Sequence, residues 1–412
     1  MAKILTTNSL ISTTLRRASI PNEESLFTNQ DVIDVINEEL TSYIVPYVIR
    51  SHESHYVHDE DVAVVSDQDT YKIPYRSVGN KLLDIQFADS NDNLYEMTQI
   101  QLGTRMDYGD LYKYRDYLKF YVKGDSVILM DSNAPSSGNF RFSYYLRPNE
   151  IVTEDRAGSI SAIGNEFIEF TVSSYSDLVA ETITINGYTF TGVASGASGK
   201  QFNCATSNTV TAASMATFIN ADSDASALVS ASASSGVLTI TAIASTTNLS
   251  VSYTGAGTVG GTLSNEKRTV TVTSFPDHFS TTTLFDFIQA KSPSKILQFD
   301  STLQTSSILS KTLTFLTSEF PDGLVVGDYI MKAEETIIAQ IPTELQPLLC
   351  QRAACRLLES LGDQTGLKMA NDNLLIMQRD LQTIVDNRVE EAPQKALKRY
   401  SNLRDAIGRR FR

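Results

Sequence analysis

The sequence lacks any long apolar stretch: no run among its 412 residues approaches the roughly 18 apolar residues of a membrane-spanning helix. Its first residues, MAKILTTNSLISTTLRRAS, also lack the apolar core of a secretory signal, and Arg16 and Arg17 follow the apolar residues instead of preceding them. We therefore expect a soluble protein that is made inside a cell and does not contact a membrane.

Cysteine is scarce. Cys204, Cys350 and Cys355 are too few and too badly placed for a disulfide framework or a zinc knuckle. Cys350 and Cys355 stand five positions apart in a predicted helix, so we expect them to be small core residues.

Histidine is also scarce, and three of the four histidines, His52, His55 and His58, lie in SHESHYVHDED. The H-x2-H-x2-H spacing is compatible with a metal site, but on a helix His58 lies about 60° further round than His55, and on a strand the side chains alternate between faces. The H-E-x-x-H pattern is missing. We predict a solvated connection between a helix and a strand, and no metal.

Motifs for catalysis are missing as well. GASGK, at residues 196–200, is followed by Gln201, and Gly192 lies too early to be the first glycine of a phosphate loop. The tyrosines between Tyr95 and Tyr145 have no neighbouring cation clusters, which favours packing on a sheet over a platform for nucleic-acid bases. We predict that the protein is not an enzyme and binds no cofactor.

Cations are outnumbered, with 34 Lys and Arg against 48 Asp and Glu and a formal net charge of −14. Because nucleic-acid binding needs clustered cations, this balance argues against general wrapping of DNA or RNA. The exception is KALKRYSNLRDAIGRRFR, residues 395–412, which holds seven Lys or Arg and one acid, Asp405. An acidic sequence therefore closes on a basic segment.

A segment of unusual composition occupies residues 171–264, where five of 94 residues are charged and proline is absent. Ser, Thr, Ala and Gly dominate it, yet the alternation around Asn186-Gly187 predicts a β-hairpin. GVLTITAIA and NLSVSYTG predict two further strands. We predict an independent β-rich domain of order ββαββ, and the alternative is a disordered polar segment.

Between the two strand pairs of this segment, TVTAASMATFIN predicts a short helix. Four of its apolar side chains are available for packing, namely Ala213, Ala216, Phe218 and Ile219. At the segment's borders, FTVSSYSD (170–177) and VTVTSFPD (270–277) match position by position in residue type. This match is either chance or the trace of an insertion that duplicated a strand of the host domain.

The host sequence begins with two predicted helices. TTNSLISTTLRRA predicts the first, and Thr28 with Asp31 forms a capping signal for the second, which Pro46 should kink or end. Short strands follow: VAVVS, DTYKIPY, LLDIQFAD, YLKFYV, SVILM and NFRFSYYL. The last of these places four large side chains on one face, Phe140, Phe142, Tyr144 and Leu146.

Gly124-Asp125 joins YLKFYV to SVILM as a hairpin, so the strands predict a β-meander or small barrel. LFDFIQAK, KTLTFLTS and GLVVGDYIM, which follow the inserted segment, can complete it.

Helices return near the end of the chain. Thr343 and Gln346 predict a capping box for TELQPLLCQRAACRLLESL, and Gly362 ends that helix. The next helix carries an apolar seam with heptad spacing: Leu367, Ala370, Leu374, Met377, Leu381 and Ile384. We expect the two helices to form an antiparallel hairpin that packs against the N-terminal helices.

The predicted fold class is α+β, with a helical bundle, a β-meander or small-barrel domain and an inserted β-rich domain. The predicted organisation is residues 1–55 for the N-terminal helices, 56–170 and 269–340 for the two parts of the β-domain, 171–268 for the inserted domain, 341–390 for the helix hairpin and 391–412 for an extended basic tail.

Three stretches resemble the head-to-tail connector, or adaptor, proteins of tailed bacteriophages: LRRASIPNEESLFTNQDVIDVINEELTSYIVPYVI, YKIPYRSVGNKLLDI and GDYIMKAEETIIAQIPTELQPLLCQRAACRLLESLGD. The resemblance covers residues 8–170 and 270–400 and excludes the inserted segment. It implies a virion protein of the neck, assembled in the host cytoplasm as a homo-oligomeric ring of about twelve copies beneath the portal, with a helical bundle facing the portal and a β-region facing the tail.

The partners that the resemblance implies are the portal protein, a downstream tail protein (nozzle, tube or fibre), further copies of the chain, and DNA in transit during ejection. In this family the C-terminal segment reaches the portal, so we expect the basic tail to bind acidic grooves between portal subunits. The predicted portal-binding residues are Lys395, Lys398, Arg399, Leu403, Arg404, Ile407, Arg409, Arg410, Phe411 and Arg412.

Two alternatives remain at the level of sequence. The tail could be an ordinary solvated basic end. The whole chain could be another tail structural protein, a tube or a fibre-attachment protein or adhesin, that uses the inserted domain to bind a partner or a glycan.

Overall fold

The chain folds into a mixture of helices and sheets, in agreement with the predicted α+β class. The computed structural model describes residues 4–21, 26–51, 53–100, 118–129, 137–244, 248–255, 260–292, 294–304 and 311–385. Among the helices of these ranges, none combines the length and the apolar character that crossing a membrane requires. The α-helices are α1 (Thr7–Arg17), α2 (Asn29–Glu39), α3 (Val45–Ser51), α4 (Asn208–Ala221), α5 (Gln346–Leu361) and α6 (Gln364–Val385).

The strands form five sheets within the described residues. The strands before the inserted segment are β1 (Val57–Ala63), β2 (Thr70–Lys72), β3 (Ser77–Ala88), β4 (Leu94–Glu96), β5 (Thr98–Gln99), β6 (Lys119–Lys123), β7 (Ser126–Leu129), β8 (Asn139–Leu146), β9 (Glu150–Ile151) and β10 (Gly158–Ile163). Those in and around it are β11 (Phe167–Val172), β12 (Thr182–Ile185), β13 (Tyr188–Val193), β14 (Gln201–Asn203), β15 (Val229–Ser234), β16 (Val237–Ala242), β17 (Val251–Tyr253), β18 (Gly261–Leu263) and β19 (Lys267–Val272). The late strands are β20 (Leu284–Ile288), β21 (Ile296–Thr302), β22 (Thr312–Leu316), β23 (Tyr329–Lys332) and β24 (Glu335–Thr336).

The described residues divide into two compact units. The first contains the described residues up to Leu40 and those between Pro148 and Asn371, and the second contains the described residues between Thr41 and Arg147 and those from Asp372 to Val385. The second unit contains two four-stranded sheets, ordered β1-β8-β3-β4 and β2-β7-β6-β5. A single apolar core that includes Tyr71, Phe120 and Phe140 lies between them, so the sheets form a sandwich.

The structure corrects the expected meander or small barrel in this unit. β8 lies between β1 and β3, and β2 pairs with β7, so half of the neighbouring pairs in these two sheets join strands that are not consecutive in sequence. The hairpin of β6 and β7 at Gly124-Asp125 is confirmed. The predicted face of β8 is also confirmed, because Phe140, Phe142 and Tyr144 are buried and Leu146 packs against the same core.

The first unit is built on a ten-stranded sheet whose main path is β15-β16-β11-β19-β10-β23-β20-β21. β22 and β18 pair with β19 and β11 outside that path. The expectation that LFDFIQAK, KTLTFLTS and GLVVGDYIM complete the sheet of the earlier strands is therefore wrong. These stretches contribute β20, β22 and β23, which pair with one another and with β10 and β19 around a phenylalanine-rich core.

The inserted segment has a core of its own. Four of its strands form a separate sheet, ordered β14-β13-β12-β17. Two others, β15 and β16, form one end of the ten-stranded sheet, and α4 packs against both sheets. The hairpin at Asn186-Gly187 is confirmed, since both residues have positive φ and Ile185 pairs with Tyr188. The core also includes Ile168, Phe170 and Val172, so β11 packs with the inserted segment, whereas β19 packs with the host core.

The helix predicted in this segment is confirmed as α4, but its packing face differs from the prediction. Ala216 and Ile219 are buried and Phe218 is half-buried, whereas Ala213 is exposed. The residues buried from α4 are Thr211, Ala212, Met215, Ala216 and Ile219. The two strands predicted after it are present as β16 and β17, and β14, β15 and β18 are additional to the prediction.

The capping box that starts α2 is confirmed: Thr28 Oγ1 accepts a hydrogen bond from the Asp31 N–H at 3.2 Å, and Asp31 Oδ2 accepts one from the Thr28 N–H at 2.7 Å. Pro46 does not end the helical path. A π-helical turn, Leu40–Ile44, precedes α3, which contains Pro46 and continues to Ser51. The wider turn accommodates a proline ring that would clash with the carbonyl four residues earlier in a regular α-helix.

The start of α5 differs from the prediction. A 3₁₀ turn, Thr343–Leu345, precedes the helix, and the cap residue is Leu345 without a side-chain cap. Thr343 Oγ1 lies 2.5 Å from Ser292 Oγ, and Gln346 Oε1 accepts a hydrogen bond from the Leu5 N–H. The expected capping box is absent because tertiary contacts use both side chains. Gly362 does end α5, in the left-handed region at φ 71°.

Candidate functional site

The residues predicted to bind the portal all lie outside the residues that the structure describes. The last described residue is Val385, at the end of α6. The candidate site can therefore be built from the helices that precede the predicted tail: α1, α2, α5 and the first part of α6.

α5 is the centre of these helices. It packs against α1 and α2, as expected for the partner of the N-terminal helices. Ten of its sixteen side chains are buried, including Leu348, Leu349 and Leu357, and this exceeds the single apolar stripe of a surface helix. The buried, free Cys350 and Cys355 are small core residues as predicted, and burial raises the pKa of both thiols. We call α1, α2 and α5 the helix cluster.

A buried ion pair joins α2 to α5 inside the helix cluster. The Glu39 carboxylate is fully buried and accepts hydrogen bonds from Arg352 Nε at 2.5 Å and Arg356 Nε at 2.6 Å. Glu39 is the last residue of α2 before the π-helical turn, and the two guanidinium groups offset the cost of burying its carboxylate. They also fix the register of α5 on α2.

Hydrogen bonds to backbone groups in and directly after β9 and β24 tie the helix cluster to the rest of the same unit. The Thr7 N–H donates to the Ile337 carbonyl at 2.9 Å, and Thr7 Oγ1 donates to the Val152 carbonyl at 2.7 Å. Asn37, on α2, bonds both backbone groups of Ile151 at 2.9 Å. These bonds fix both α1 and α2 to β9 and to the residues that directly follow β9 and β24.

α6 carries the predicted apolar seam, and its described part confirms it. Ala370 and Leu374 are buried, and Leu367, Met377 and Leu381 are half-buried. The side chain of Ile384 lies outside the described residues. Three further apolar side chains of α6 point to solvent, Met369 (65% exposed), Leu375 (63%) and Ile376 (50%).

The first half of α5 is connected to α6 through Gln351. Its Nε2 donates to the Ala370 carbonyl at 3.0 Å, and its Oε1 accepts from Arg17 Nη1 at 2.7 Å. The buried amide therefore links α1, α5 and the first part of α6.

The histidine stretch forms structure that the sequence did not predict. His52 lies outside the described residues, His55 ends a 3₁₀ turn, and His58 lies on β1 with its ring 5.6 Å from the Tyr144 ring. The expected solvated connection is thus partly a paired strand. Burial lowers the pKa of His58, against the opposing effects of Glu60 and Asp59. In the described ranges, no three His, Cys, Asp or Glu side chains converge into a group that could hold a metal ion.

The lysine that ends the GASGK stretch contacts other side chains of the inserted segment. Lys200 Nζ lies 3.6 Å from Asp222 Oδ2, 3.9 Å from Asp224 Oδ2 and 4.4 Å from the centre of the Tyr188 ring. Two aspartates beside the ammonium group oppose the approach of a phosphate, which supports the prediction that this is not a phosphate loop.

Sequence analysis missed Glu39, Arg352 and Arg356. A signal was present, since Glu39 falls between Ile36 and Leu40 on the apolar stripe of α2, where an acid is out of place. Arg352 and Arg356 stand four positions apart on the other helix, the spacing that places both on one face.

Comparison with protein-family models gives no match for this chain, and neither does comparison with curated protein sequences.

Proposed function

We propose that this chain is a structural virion protein, a ring-forming head-to-tail adaptor of a tailed bacteriophage. It docks on the portal and connects it to the tail while leaving a channel for DNA. One observation supports this proposal most strongly. Two of the stretches with adaptor resemblance contain α2 and α5, and these helices meet in the helix cluster, where the Arg352–Glu39 contact spans 313 residues of sequence.

In this proposal the helix cluster faces the portal and the strand-rich regions face the tail. Ring formation needs subunit surfaces and no catalytic group. The net charge of −14 suits a DNA channel, because like charge on its wall keeps phosphates from binding as the genome passes. The inserted segment decorates the ring or contacts a neighbouring tail protein.

The basic tail then provides the attachment to the portal. Its seven Lys or Arg complement acidic grooves between portal subunits, and Leu403, Ile407 and Phe411 recur every four positions, as an apolar helical stripe requires. α6, which ends at Val385, leads the chain toward this segment.

The first experiment is mass photometry and negative-stain imaging of the purified protein, alone and mixed with the portal of its own virus. The proposal predicts a portal-dependent ring of about twelve subunits. A threefold or sixfold particle that ignores the portal would overturn it and would favour a tube or fibre protein.

Deletion of residues 395–412 tests the attachment. The truncated protein should keep the circular-dichroism spectrum of the parent and lose binding to portal rings. Two variants of the full chain separate the electrostatic contribution from the apolar one. Gln at the seven cationic positions should weaken both portal binding and the dependence of binding on salt concentration. The triple variant Leu403→Ala, Ile407→Ala and Phe411→Ala should weaken portal binding without changing its salt dependence. Undiminished binding by the truncated protein would refute tail docking.

A further inference from the structure

The inserted segment contains a sheet edge whose backbone groups at Ala231 are closed by one side chain. β15 is the terminal strand of the ten-stranded sheet, and it pairs with β16 on one side only. On its other side, Asn220 Nδ2 donates to the Ala231 carbonyl at 2.7 Å, and the Ala231 N–H donates to Asn220 Oδ1 at 2.8 Å. Asn220 thus makes the two hydrogen bonds that a neighbouring strand would make.

We propose that β15 is a strand-addition surface whose partner is β15 of a second copy, and that Asn220 keeps this surface closed. An unpaired strand edge is a template for another chain, and proteins usually protect it with charge, proline or a bulge. β15, with the sequence VSASAS, has none of these protections, and its register with β16 runs without a break from Val229 to Ser234.

The sequence of β15 fits a second copy of itself. In an antiparallel pair centred on Ala231, Ser230 faces Ser232 and Val229 faces Ala233, so hydroxyl groups meet on one face and apolar groups on the other. Alternate residues direct their backbone groups to the same edge, so Val229 and Ala233 point outward with Ala231 and would complete the ladder. β15 itself contains no charged side chain that would oppose this pairing.

α4 protects the facing sheet in a similar way. Ser214 Oγ accepts a hydrogen bond from the N–H of Asn203, on β14, at 2.9 Å. β14 is the terminal strand of the sheet β14-β13-β12-β17. The helix therefore places one polar side chain on an edge of each sheet, which explains why it is polar at positions that adjoin the core.

The test compares variants of the full chain by sedimentation velocity over a hundredfold range of concentration. Asn220→Ala opens the Ala231 groups, and it also favours the helix, because Ala has the higher helix propensity, so a loss of helix does not explain an effect. We expect reversible association to twice the mass of the parent. The mass of each variant is compared with the mass of the parent protein, whether the parent is a monomer or a ring. The inference therefore does not depend on the proposed function.

Two further variants give the inference its specificity. Adding Ala231→Pro to Asn220→Ala removes the outward donor without removing a bond to β16, and the mass should return to that of the parent. Thr217→Ala, at an exposed position of α4 whose hydroxyl bonds within the helix, should match the parent. If Asn220→Ala does not fold, Asn220→Ser shortens the same side chain and should associate in the same way.

Two results would overturn the inference. One is a mass for Asn220→Ala that stays equal to that of the parent at every concentration. The other is association that persists in the presence of Ala231→Pro or that also occurs with Thr217→Ala.

Discussion

Asn37 and Ile151 exchange two hydrogen bonds across 114 residues of sequence: Asn37 Nδ2 donates to the Ile151 carbonyl, and the Ile151 N–H donates to Asn37 Oδ1, both at 2.9 Å. An asparagine side chain can do this because its amide presents a donor and an acceptor as a peptide group does. Asn220 and Ala231 repeat the arrangement in the inserted segment. In both places a helix closes a strand edge with one amide.

Asn37→Ala should lower the free energy of unfolding by about 1–3 kcal/mol, because two backbone groups of a strand lose their partners. The gain in helix propensity offsets a few tenths of a kcal/mol of this loss. Urea denaturation followed by far-UV circular dichroism gives the measurement. Glu38→Ala, at the exposed neighbouring position of α2, is the control and should change the value by less than about 0.5 kcal/mol. Equal effects of the two substitutions would contradict this role of Asn37.

Glu39→Gln should destabilise the helix cluster more strongly. It removes the buried negative charge that faces Arg352 and Arg356, and breaking a buried pair in this way costs about 3–5 kcal/mol. We expect about 2–4 kcal/mol here, because Arg356 is about half-exposed and water screens part of its charge. Thermal unfolding followed by circular dichroism measures the effect.

Glu359→Gln is the matched control for this substitution. Glu359 also pairs with Arg356, at 3.2 Å, but it lies on the surface. Its loss should cost less than about 1 kcal/mol. A Glu39→Gln protein as stable as Glu359→Gln would show that the buried pair is not what holds α2 on α5.

Helix ends and hairpins were predictable from sequence because their signals are local. Thr28 with Asp31 and Gly362 satisfy backbone groups within a few residues of themselves, and Asn186-Gly187 supplies the positive φ values of its turn. Each of these signals acts without help from the rest of the chain.

Strand partners were not predictable, because alternation has the same period in every strand and does not encode a neighbour. β22 therefore resembles a continuation of the early strands but pairs with β19. Thr343 and Gln346 failed as a capping box for a related reason, since Ser292 and Leu5 offer them distant partners. The predicted portal-binding residues lie outside the described structure, so that part of the candidate site remains a prediction.

Gly192→Ala should disrupt the inserted segment. A Cβ atom at this position would lie 2.1 Å from the Leu178 carbonyl oxygen and 2.8 Å from Cys204 Sγ, and the backbone contact cannot be relieved by a side-chain rotation. We expect a loss of about 3 kcal/mol. Gly196→Ala is the control, because its surroundings are open and only its positive φ of 73° opposes a side chain, which costs about 1 kcal/mol. Calorimetry of both variants measures their unfolding. A Gly196→Ala protein that is less stable than Gly192→Ala would contradict the predicted clash at Gly192.

Acidification from about pH 6.5 should destabilise the protein through His278. Burial, followed by the nearby Arg156, lowers the pKa of His278, and Lys332 acts in the same direction, while Glu335 and Asp155 oppose them. The folded protein therefore binds this proton less readily than the unfolded chain, whose histidine titrates near pH 6.5. The contribution of His278 is complete above pH 6.5 and is lost as the pH falls toward the folded pKa.

His58 contributes in the same window, because burial lowers its pKa as well. The measurement is the free energy of unfolding in urea at several pH values between about 5 and 7.5, for the parent, His278→Gln and the double variant with His58→Gln. Glu266 acts in the opposite direction, since burial and Glu166 raise its pKa, so the difference between parent and variant is the informative quantity. Each histidine replaced should reduce the slope of stability against pH. Parallel curves for parent and double variant would contradict the assignment, because the remaining slope would then belong to other groups.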